Sequence, residues 1–435
     1  MSFKFKQFTN SVTLARLIIA IIYMTTTAAQ SNRNVIFLVI VAALGYFVDI
    51  YDLLIFSIVR VESLKGIGIT NPDEITSSGT FIINVQMFGL LLGGIIWGVV
   101  GDKLGRIKVL FGSILLYSIA NFANGFVQDV NTYAAIRFFG GIGLAGELGA
   151  GITLVSETMS KEKRGYGTMI VAVVGLFGAV LANIVAKHFG WQKAYFVGGG
   201  LGIMLLLLRA GTFESGMFKE AEKSDVSRGN FLSLFTDRKR FLKYLYCILL
   251  GSPLWFVVGV LVTQSQEFGV ALKATEVLKA GDGILYTYIG ISVGDLAAGL
   301  LAQATRSRRL TMLVFLLISI VSVVVYLTSI GLDGNKFLWI CFFMGCTVGY
   351  WATFVTIASE QFGTNLRATV TTTVPNFVRG ALIPINWAFI FFKGQYGMIG
   401  AGYIMMAILT AISLFSLSQL KETFGKDLNY IDEFI

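Results

Sequence analysis

A succession of long apolar segments constrains this chain more than any other feature of its sequence. A helix that spans a bilayer takes roughly 20 residues. Segments of about that length cover residues 34–59, 79–100, 108–127, 132–156, 167–187 and 193–209, and then 241–264, 283–303, 310–330, 337–358, 369–392 and 398–419. Only 14% of all residues are charged, whereas soluble domains carry about 25%. The sequence therefore predicts an all-α membrane protein with twelve transmembrane helices.

The apolar segments fall into two sets of six, and this arrangement predicts the domain organisation. We expect an N-terminal segment at 1–33, a six-helix half at 34–209, a cytoplasmic central loop at 210–240, a second six-helix half at 241–420 and a cytoplasmic tail at 421–435. The N-terminal segment contains one short apolar run. That run favours an interfacial helix, but it also resembles the apolar core of a signal peptide.

The basic residues are distributed unevenly between the two sides of the membrane. With the N-terminus inside, 24 of the 34 lysines and arginines lie on the inner side and 8 on the outer side. Arg137 and Arg379 remain within apolar segments. Inner loops of membrane proteins are enriched in Lys and Arg, so the bias predicts that both termini are cytoplasmic. The formal net charge of +9 then reflects topology, and a nucleic-acid partner is not expected.

The inventory of reactive residues excludes several classes of enzyme. The chain has one histidine, His188, and three cysteines without a CxxC pair. A histidine-based metal site or a Ser-His-Asp triad is therefore not expected. No GxxxxGK[ST] run is present, so the chain contains no P-loop for ATP. We expect a protein that is not an enzyme and needs no cofactor or metal.

One pattern occurs twice in the sequence, with an offset of 203 residues. Each copy has a Ser-Glu pair with an arginine seven residues after the glutamate, and each half has another arginine after its second apolar segment. The residues are Ser156, Glu157, Arg164 and Arg106 in the first half, and Ser359, Glu360, Arg367 and Arg309 in the second. Parallel repeats of six helices are typical of transporters whose site lies between the halves.

Five short motifs resemble those of the major facilitator superfamily. Residues 101–108 read GDKLGRIK and resemble its G-D-R-x-G-R-R loop. Residues 156–165, 214–216, 359–369 and 421–425 resemble loop and tail motifs of its sugar-porter and metabolite:proton branches. Three prolines of those motifs are replaced, by Ser160, Gly216 and Gly363. The resemblance extends from about residue 34 onward and implies secondary active transport by alternating access.

Charged residues of these motifs cluster at the predicted cytoplasmic face. Such a network can hold the two halves together in one state and release them in another, because exposed pairs contribute only about 0–1 kcal/mol each. The predicted gate consists of Asp102, Arg106, Glu157, Arg164, Arg309, Glu360 and Arg367. The alternative is that the arginines only set the topology.

Ionisable residues inside the apolar segments predict a proton-coupling site. Asp49 and Asp52 are three residues apart and share a helix face, and two neighbouring carboxylates resist joint ionisation. Their surroundings resemble the D-G-x-D motif of aromatic-acid:proton symporters, with Ile50 in place of glycine. Arg137 begins a run that resembles the R-x-x-x-G-x-G-x-x-G motif, which is linked in that family to proton movement. Glu147, ten residues further on, is a second candidate.

These four residues also have a purely structural interpretation. One aspartate would neutralise Arg137 as a buried pair, and Glu147 would pack against an arginine. A charge in the middle of a membrane helix costs roughly 2.5–3.5 kcal/mol, so each must pair or face a wet cavity in either case.

Arg379 is the predicted substrate-binding residue. Thr372, Asn376, Arg379 and Asn386 follow one another at helical spacing and form a polar stripe, with Trp387 adjacent. An arginine fork in a dry cavity suits a carboxylate or a phosphate. Tyr350 and Thr353 of the tenth segment complete the predicted site. In the alternative, Arg379 pairs with an aspartate of the other half and the aromatic residues serve packing.

The sequence thus predicts a monomeric, multi-pass transporter of the cytoplasmic membrane that imports a small organic anion together with protons. A sugar or polyol:proton porter and an export antiporter are the alternatives. The seventh segment lacks the Q-Q-x-x-G-x-N pattern of hexose carriers, and the fifth lacks the G-P-x-x-x-G-G motif of drug exporters. A membrane-embedded acyltransferase and a non-transporting sensor are the remaining alternatives from other classes.

Overall fold

The computed structural model describes residues 3–159, 164–209, 231–426 and 430, without the side chains of residues 3–34, 72, 73, 76, 106, 156, 157, 164, 165 and 368. Helices make up the described chain, which contains no strand. The first eight are α1 (Phe3–Gly66), α2 (Pro72–Leu104), α3 (Arg106–Asn124), α4 (Val130–Leu144), α5 (Glu147–Thr158), α6 (Arg164–Leu176), α7 (Gly178–Phe189) and α8 (Trp191–Leu208). The all-helical prediction is confirmed for the described residues.

A second group of helices follows residue 230. It comprises α9 (Ser233–Thr236), α10 (Arg238–Leu250), α11 (Ser252–Phe256), a π-helical turn (Val257–Val262), α12 (Ser265–Ala271), α13 (Ala280–Thr305), α14 (Arg308–Thr328), α15 (Gly334–Val348), α16 (Trp351–Glu360), α17 (Thr364–Gly380) and α18 (Leu382–Gln419). Helices α1–α8 pack mainly against one another, and so do α10–α18. We call these sets the first group and the second group.

Eleven stretches of the described chain are long and apolar enough to cross a membrane. Ten of them overlap the first ten predicted segments. The last one runs from Thr364 to Gln419 over 56 residues and covers the predicted eleventh and twelfth segments together. Gly397, with φ 70° and ψ 177°, interrupts the helical geometry within it. Glycine adopts such a positive φ without the steric penalty of other residues.

Several predicted segments are divided in the structure. The fourth is interrupted at Ala145–Gly146, between α4 and α5, and the tenth at Gly349–Tyr350, between α15 and α16. Corresponding positions of these two breaks are 204 residues apart, one more than the offset of the sequence repeat. The seventh segment is divided before Pro253, whose ring removes a backbone donor and so disfavours an uninterrupted helix.

The backbone at the N-terminal and central boundaries adds detail to the predicted domains. Helix α1 continues through residue 33 without interruption, and the stretch that could span a membrane begins at Val35. Residues 210–230 of the predicted central loop lie outside the described chain. Its last part, residues 231–240, holds α9 and the start of α10. The domain boundaries themselves stay a prediction.

The two groups meet chiefly where α2 and α5 pack against α17, and α6 and α7 against α13. Glycines permit the closest approach between α2 and α17. A Cβ atom built on Gly98 would lie 2.9 Å from the Cα of Thr369, and one on Gly94 would lie 3.1 Å from the Cβ of Asn376. A side chain at Gly98 would separate the helices, so this interface requires a residue without a Cβ.

Candidate functional site

Asp52 and Arg137 form a buried ion pair inside the first group. Nη1 of Arg137 lies 2.9 Å from Oδ1 of Asp52, and Nη2 donates to the Asp52 carbonyl at 2.9 Å. Nε donates to Oε1 of Gln86 at 3.2 Å, and the ring of Tyr195 lies 5.8 Å from the guanidinium carbon. Both charged side chains are fully buried. Helices α1, α2 and α4 are therefore joined at this point, and Asp52 satisfies the charge of Arg137.

Glu147 lies at the start of α5 and binds Arg209, the last residue of the sixth predicted segment. Arg209 donates from Nη1 to Oε2 of Glu147 at 2.9 Å and from Nη2 to Oε1. Both residues are 1% exposed. Gly45 of α1 faces the pair so closely that a Cβ there would lie 1.9 Å from Oε1 of Glu147. The pair therefore joins the ends of α5 and α8 against α1.

Asp49 and Arg379 meet across the interface between the two groups. Oδ2 of Asp49 lies 3.8 Å from Nη2 of Arg379, which is longer than a hydrogen bond. Both carboxylate oxygens of Asp49 are buried and have no hydrogen-bond partner in the described structure. Nη1 of Arg379 donates to Oδ1 of Asn376 at 3.2 Å. Asp49 and Asp52 thus face different arginines, although they share one helix.

Two tryptophans flank the guanidinium of Arg379. Its carbon Cζ lies 5.9 Å from the ring centre of Trp255 and 5.7 Å from that of Trp351. The two indole rings are 6.3 Å apart and nearly perpendicular, at 70°. At these distances the cation is attracted to both ring faces. The site is thus a cationic fork with aromatic walls, opposed by one carboxylate.

The remaining predicted substrate residues lie at different places. Asn376, Tyr350 and Thr353 are buried, and Asn376 contacts Arg379 directly. Asn386 is 7% exposed, and its Oδ1 has no described hydrogen-bond partner. Trp387 is 66% exposed, so the structure does not bring it to Arg379. Its helical phase turns it outward, and Trp255 of α11 and Trp351 of α16 occupy the positions that we expected it to fill.

The two helix breaks beside the site have their free backbone groups bound by polar side chains. A break leaves carbonyl and amide groups without intrahelical partners. Nδ2 of Asn376 donates to the carbonyl of Ala145 at 2.8 Å, across the interface between the groups. At the other break, Oδ1 of Asp295 accepts from the amide of Ala352 at 2.9 Å.

The predicted cytoplasmic end holds a second contact between the groups. Oδ2 of Asp102 accepts hydrogen bonds from the amide and the hydroxyl of Thr369, at 2.7 and 2.6 Å. Asp102 is 1% exposed. Arg367 is buried and donates to the Phe362 carbonyl at 3.4 Å. The side chains of Arg106, Glu157 and Arg164, which belong to the predicted gate, lie outside the described residues.

Glu360 is paired with Arg308 and not with the predicted neighbour Arg309. Nε and Nη2 of Arg308 bind the two carboxylate oxygens of Glu360 at 2.7 and 2.8 Å. The backbone amide of Arg309 instead donates to Glu422 of the tail at 3.2 Å. Arg306 adopts a left-handed conformation between α13 and α14, with φ 51° and ψ 31°.

Glu422 ties the tail to the start of α14. Its carboxylate accepts from the Ser307 hydroxyl at 2.6 Å and from the Arg308 amide at 3.1 Å. Partial burial raises the pKa of Glu422, but the hydrogen bonds from Ser307 and from backbone amides outweigh it. The net pKa lies below its ordinary value of 4.5. A carboxylate at a helix N-terminus is also stabilised by the helix dipole.

No group of three or more His, Cys, Asp or Glu side chains in the described part of the chain is placed to hold a metal ion. A cleft of about 860 Å³ opens at the predicted cytoplasmic end, between Tyr166 of the first group, α13 and the tail. None of the residues that line this cleft belongs to the charged site. Most of the lining comes from residues 300–306, at the end of α13 and just after it.

Sequence reasoning missed Arg209, Arg308, Asp295 and Trp255. Asp295 lies in the eighth apolar segment and carried the same signal as Asp49, an ionisable residue within such a segment. Arg209 and Arg308 stand at segment ends, where a basic residue is ordinarily exposed. Trp255 carried no signal beyond its aromatic character.

Comparison with known proteins shows to which family the chain belongs. The family model of the Major Facilitator Superfamily matches residues 19–380. The niacin transporter NiaP of Acinetobacter baylyi is 33% identical over 165 residues, which are 37% of this chain and 36% of that protein. The gentisate transporter of Corynebacterium glutamicum is 23% identical over 404 residues, covering 87% of this chain and 86% of that one.

A solved structure shows the same fold. The proton:xylose symporter XylE, bound to 6-bromo-6-deoxy-D-glucose, superposes with a TM-score of 0.72 over 92% of this chain and 98% of the symporter chain, at 17% identity. The motifs, the apolar helices and these matches agree with one another, and the chain belongs to the major facilitator superfamily of membrane transporters.

Proposed function

We propose that this transporter is a proton-coupled symporter that imports a small organic anion by alternating access. The observation that carries the proposal is the state of Arg379, which is 2% exposed, flanked by two indoles and 3.8 Å from its only described ionic partner. A guanidinium has five N–H donors, and the described hydrogen bonds of Arg379 use one of them. The others are available to a carboxylate.

The aromatic walls favour a substrate with a flat ring. A ring attached to a carboxylate can stack between Trp255 and Trp351 while its oxygens bind Arg379 as a bidentate pair. Niacin and gentisate, which name two relatives of this chain, are both aromatic carboxylic acids. We therefore propose an aromatic monocarboxylate as the substrate class.

Asp49 provides a link between the substrate and the proton. When a carboxylate binds Arg379, it takes the place of Asp49 as the counter-ion, and Asp49 accepts a proton because a buried charge without a partner is unfavourable. The substrate carboxylate then replaces the Asp49 carboxylate as the negative charge beside Arg379, and the net charge of the site does not change. Asp52, Arg137 and Glu147 belong to the same proposed coupling network, in which their buried pairs hold α1 in place.

The proposed topology has twelve crossings with both termini in the cytoplasm. At 1.5 Å per residue the last apolar stretch of 56 residues would be about 84 Å long, more than twice the thickness of a hydrocarbon core. It crosses the membrane twice, turning at Gly397. The halves 34–209 and 241–420 then rock so that the contact between Asp102 and Thr369 closes in one state and opens in the other, with Arg367 and the Arg308–Glu360 pair beside it. Arg106, Glu157, Arg164 and Arg309 complete the proposed gate, and the working unit is one chain in a cytoplasmic membrane.

Transport by reconstituted protein tests the proposal. Proteoliposomes are challenged with nicotinate, gentisate, inorganic phosphate and xylose at two pH values, and uptake of each solute is measured. We expect proton-gradient-dependent uptake of the aromatic acids alone. Truncating one partner of a buried charge pair costs about 2–5 kcal/mol, so Arg379→Ala weakens binding of the aromatic acid by at least about 30-fold.

Tryptophan variants supply a matched control. Trp351→Phe and Trp255→Phe remove an indole beside Arg379, whereas Trp387→Phe removes one that is 66% exposed. We expect weaker binding in the first two variants and an unchanged affinity in the third. Xylose uptake that survives Arg379→Ala would refute the organic-anion proposal and favour the sugar-porter alternative. Efflux of the aromatic acid against inward proton flow would favour an export antiporter.

A further inference from the structure

Asp295 is a buried acidic residue that plays no part in the proposed exchange at Arg379. It lies in the middle of α13 and is 0% exposed. Its Oδ1 accepts from the amide of Ala352 at 2.9 Å, so it caps the half-helix α16 from a different helix. An ionised carboxylate is favourable at a helix N-terminus, both for its hydrogen bonds and for the helix dipole.

Glycines hold the helix break against Asp295. A Cβ on Gly349 would lie 2.6 Å from the Cα of Gly294 and 2.8 Å from the backbone nitrogen of Asp295. A Cβ on Gly294 would lie 2.3 Å from the carbonyl of Cys346. Two glycines therefore bring the backbones of α13 and of the break into direct contact. The position of Asp295 at the start of α16 is built into the packing.

Asp295 has no basic partner among the described residues, and its Oδ2 has no hydrogen-bond partner there. The ionisable group shown to lie within electrostatic range of it is Tyr46 of α1; Tyr288 lies two turns earlier on α13, and Cys346 and Tyr350 flank the break in the sequence. Helices α6, α7 and α14 also pack on α13, and their basic residues stand at their ends. A buried carboxylate in such surroundings is suited to gaining and losing a proton.

The half-helix that Asp295 caps begins with Trp351, one of the two indoles beside Arg379. We propose that Asp295 is a second proton-binding site, and that its protonation state sets the position of Trp351 at the anion site through the start of α16. The ionised form holds the first amides of α16 by charge-assisted hydrogen bonds. The protonated form holds them less strongly and frees Trp351 to move away from Arg379. Asp295 is a positioning residue in this scheme, which rests on the proposed role of Arg379.

A spectroscopic titration tests the proposal without any substrate. The protein is produced with 5-fluorotryptophan, and the fluorine resonance of Trp351 is identified by its absence from Trp351→Phe. We expect this resonance to shift with pH through one midpoint in the wild type and in Asp295→Glu, and to stay constant in Asp295→Asn. The Asn side chain keeps an acceptor for the Ala352 amide but cannot ionise. Asp295→Ser offers the same acceptor without charge and replaces Asn if that variant does not fold.

Asp49→Asn is the matched control, because Tyr46 lies within electrostatic range of both Asp49 and Asp295. A titration that persists in Asp295→Asn and disappears in Asp49→Asn would overturn the assignment, and so would a Trp351 resonance that does not respond to pH in the wild type. Binding of nicotinate is measured separately. We expect Asp295→Asn to bind nicotinate more weakly than the wild type at high pH, as the protonated wild type does, and to retain only the pH dependence that Asp49 contributes. Absence of nicotinate binding in the wild type would contradict the proposed function but would leave the fluorine titration to decide on Asp295.

Discussion

Gly98 stands where the backbones of α2 and α17 are in direct contact, and its replacement by alanine should keep the two groups of helices apart. A Cβ there would lie 2.9 Å from the Cα of Thr369 and 3.1 Å from its carbonyl oxygen, whereas ordinary contacts begin at 3.4 Å. Both neighbours are backbone atoms, which cannot rotate away as a side chain can. The helices α2 and α17 must therefore separate by at least 0.5 Å. That movement also stretches the two hydrogen bonds between Thr369 and Asp102, at 2.6 and 2.7 Å.

Gly98→Ala destabilises only the conformation in which the two groups are in contact at Thr369. Overpacking of a well-packed contact costs about 1–3 kcal/mol. In a state where the groups have moved apart at this end, the added methyl group touches neither atom of Thr369 and the cost vanishes. A difference of about 1–3 kcal/mol shifts the equilibrium between the two states by about 5- to 150-fold. Gly98→Ala should therefore favour the state that is open at the predicted cytoplasmic end.

Cysteine accessibility measures the shift. Thr372 is buried at this interface, 2.2 Å from a Cβ built on Gly149, so a reporter Thr372→Cys is introduced after Cys247, Cys341 and Cys346 have been replaced by serine. Maleimide labelling in inside-out vesicles should be about 5- to 150-fold faster in Gly98→Ala. Gly140→Ala is the control, since its Cβ would make an ordinary contact of 3.5 Å. Equal labelling rates with and without Gly98→Ala would refute the reasoning.

Further substitutions test the buried pairs and the tail. Gly45→Ala would place a Cβ 1.9 Å from a carboxylate oxygen and should lower the melting temperature in detergent, whereas Gly151→Ala, at 3.7 Å from its neighbour, should not. Arg308→Ala removes the described charge partner of the buried Glu360 and should cost up to about 3–5 kcal/mol, and Arg309→Ala much less; equal losses of thermal stability would contradict the pairing. The contribution of Glu422 should be complete above its ordinary pKa of 4.5 and be lost as the pH falls through the lower pKa of the folded state. Melting curves between pH 3 and 7 should show this loss in the wild type but not in Glu422→Gln.

The membrane-spanning helices of this protein could be predicted from its sequence. A helix that crosses a bilayer needs a long apolar segment, because its backbone groups must bond to one another and its side chains face lipid. The buried charges were equally visible, since an ionisable residue within an apolar segment must have a reason to be there. Asp49, Asp52, Arg137 and Arg379 were found in this way. Asp295 carried the same signal, so its omission was an error of reading.

The partners of these charges could not be derived from spacing. Glu147 and Arg209 are 62 positions apart and meet because the start of α5 lies near the end of α8. Arg308 and Arg309 are adjacent but point about 100° apart around a helix, so only one of them, Arg308, reaches Glu360. Such choices depend on tertiary packing.

The helix breaks could not be predicted from the sequence either. They also connect the proposed binding site with the proposed movement of the two groups. With 49 glycines in the chain, glycine alone does not mark a break; what stabilises one is a side chain that binds the freed backbone group. The break in the second group is bound by Asp295 from within that group, so it persists when the groups move. The break at Ala145 is bound by Asn376 from the opposite group, so this bond must open when they separate. Asn376 also accepts the one described hydrogen bond of Arg379, and an anion that draws Arg379 away would thereby weaken the contact that holds the two groups together.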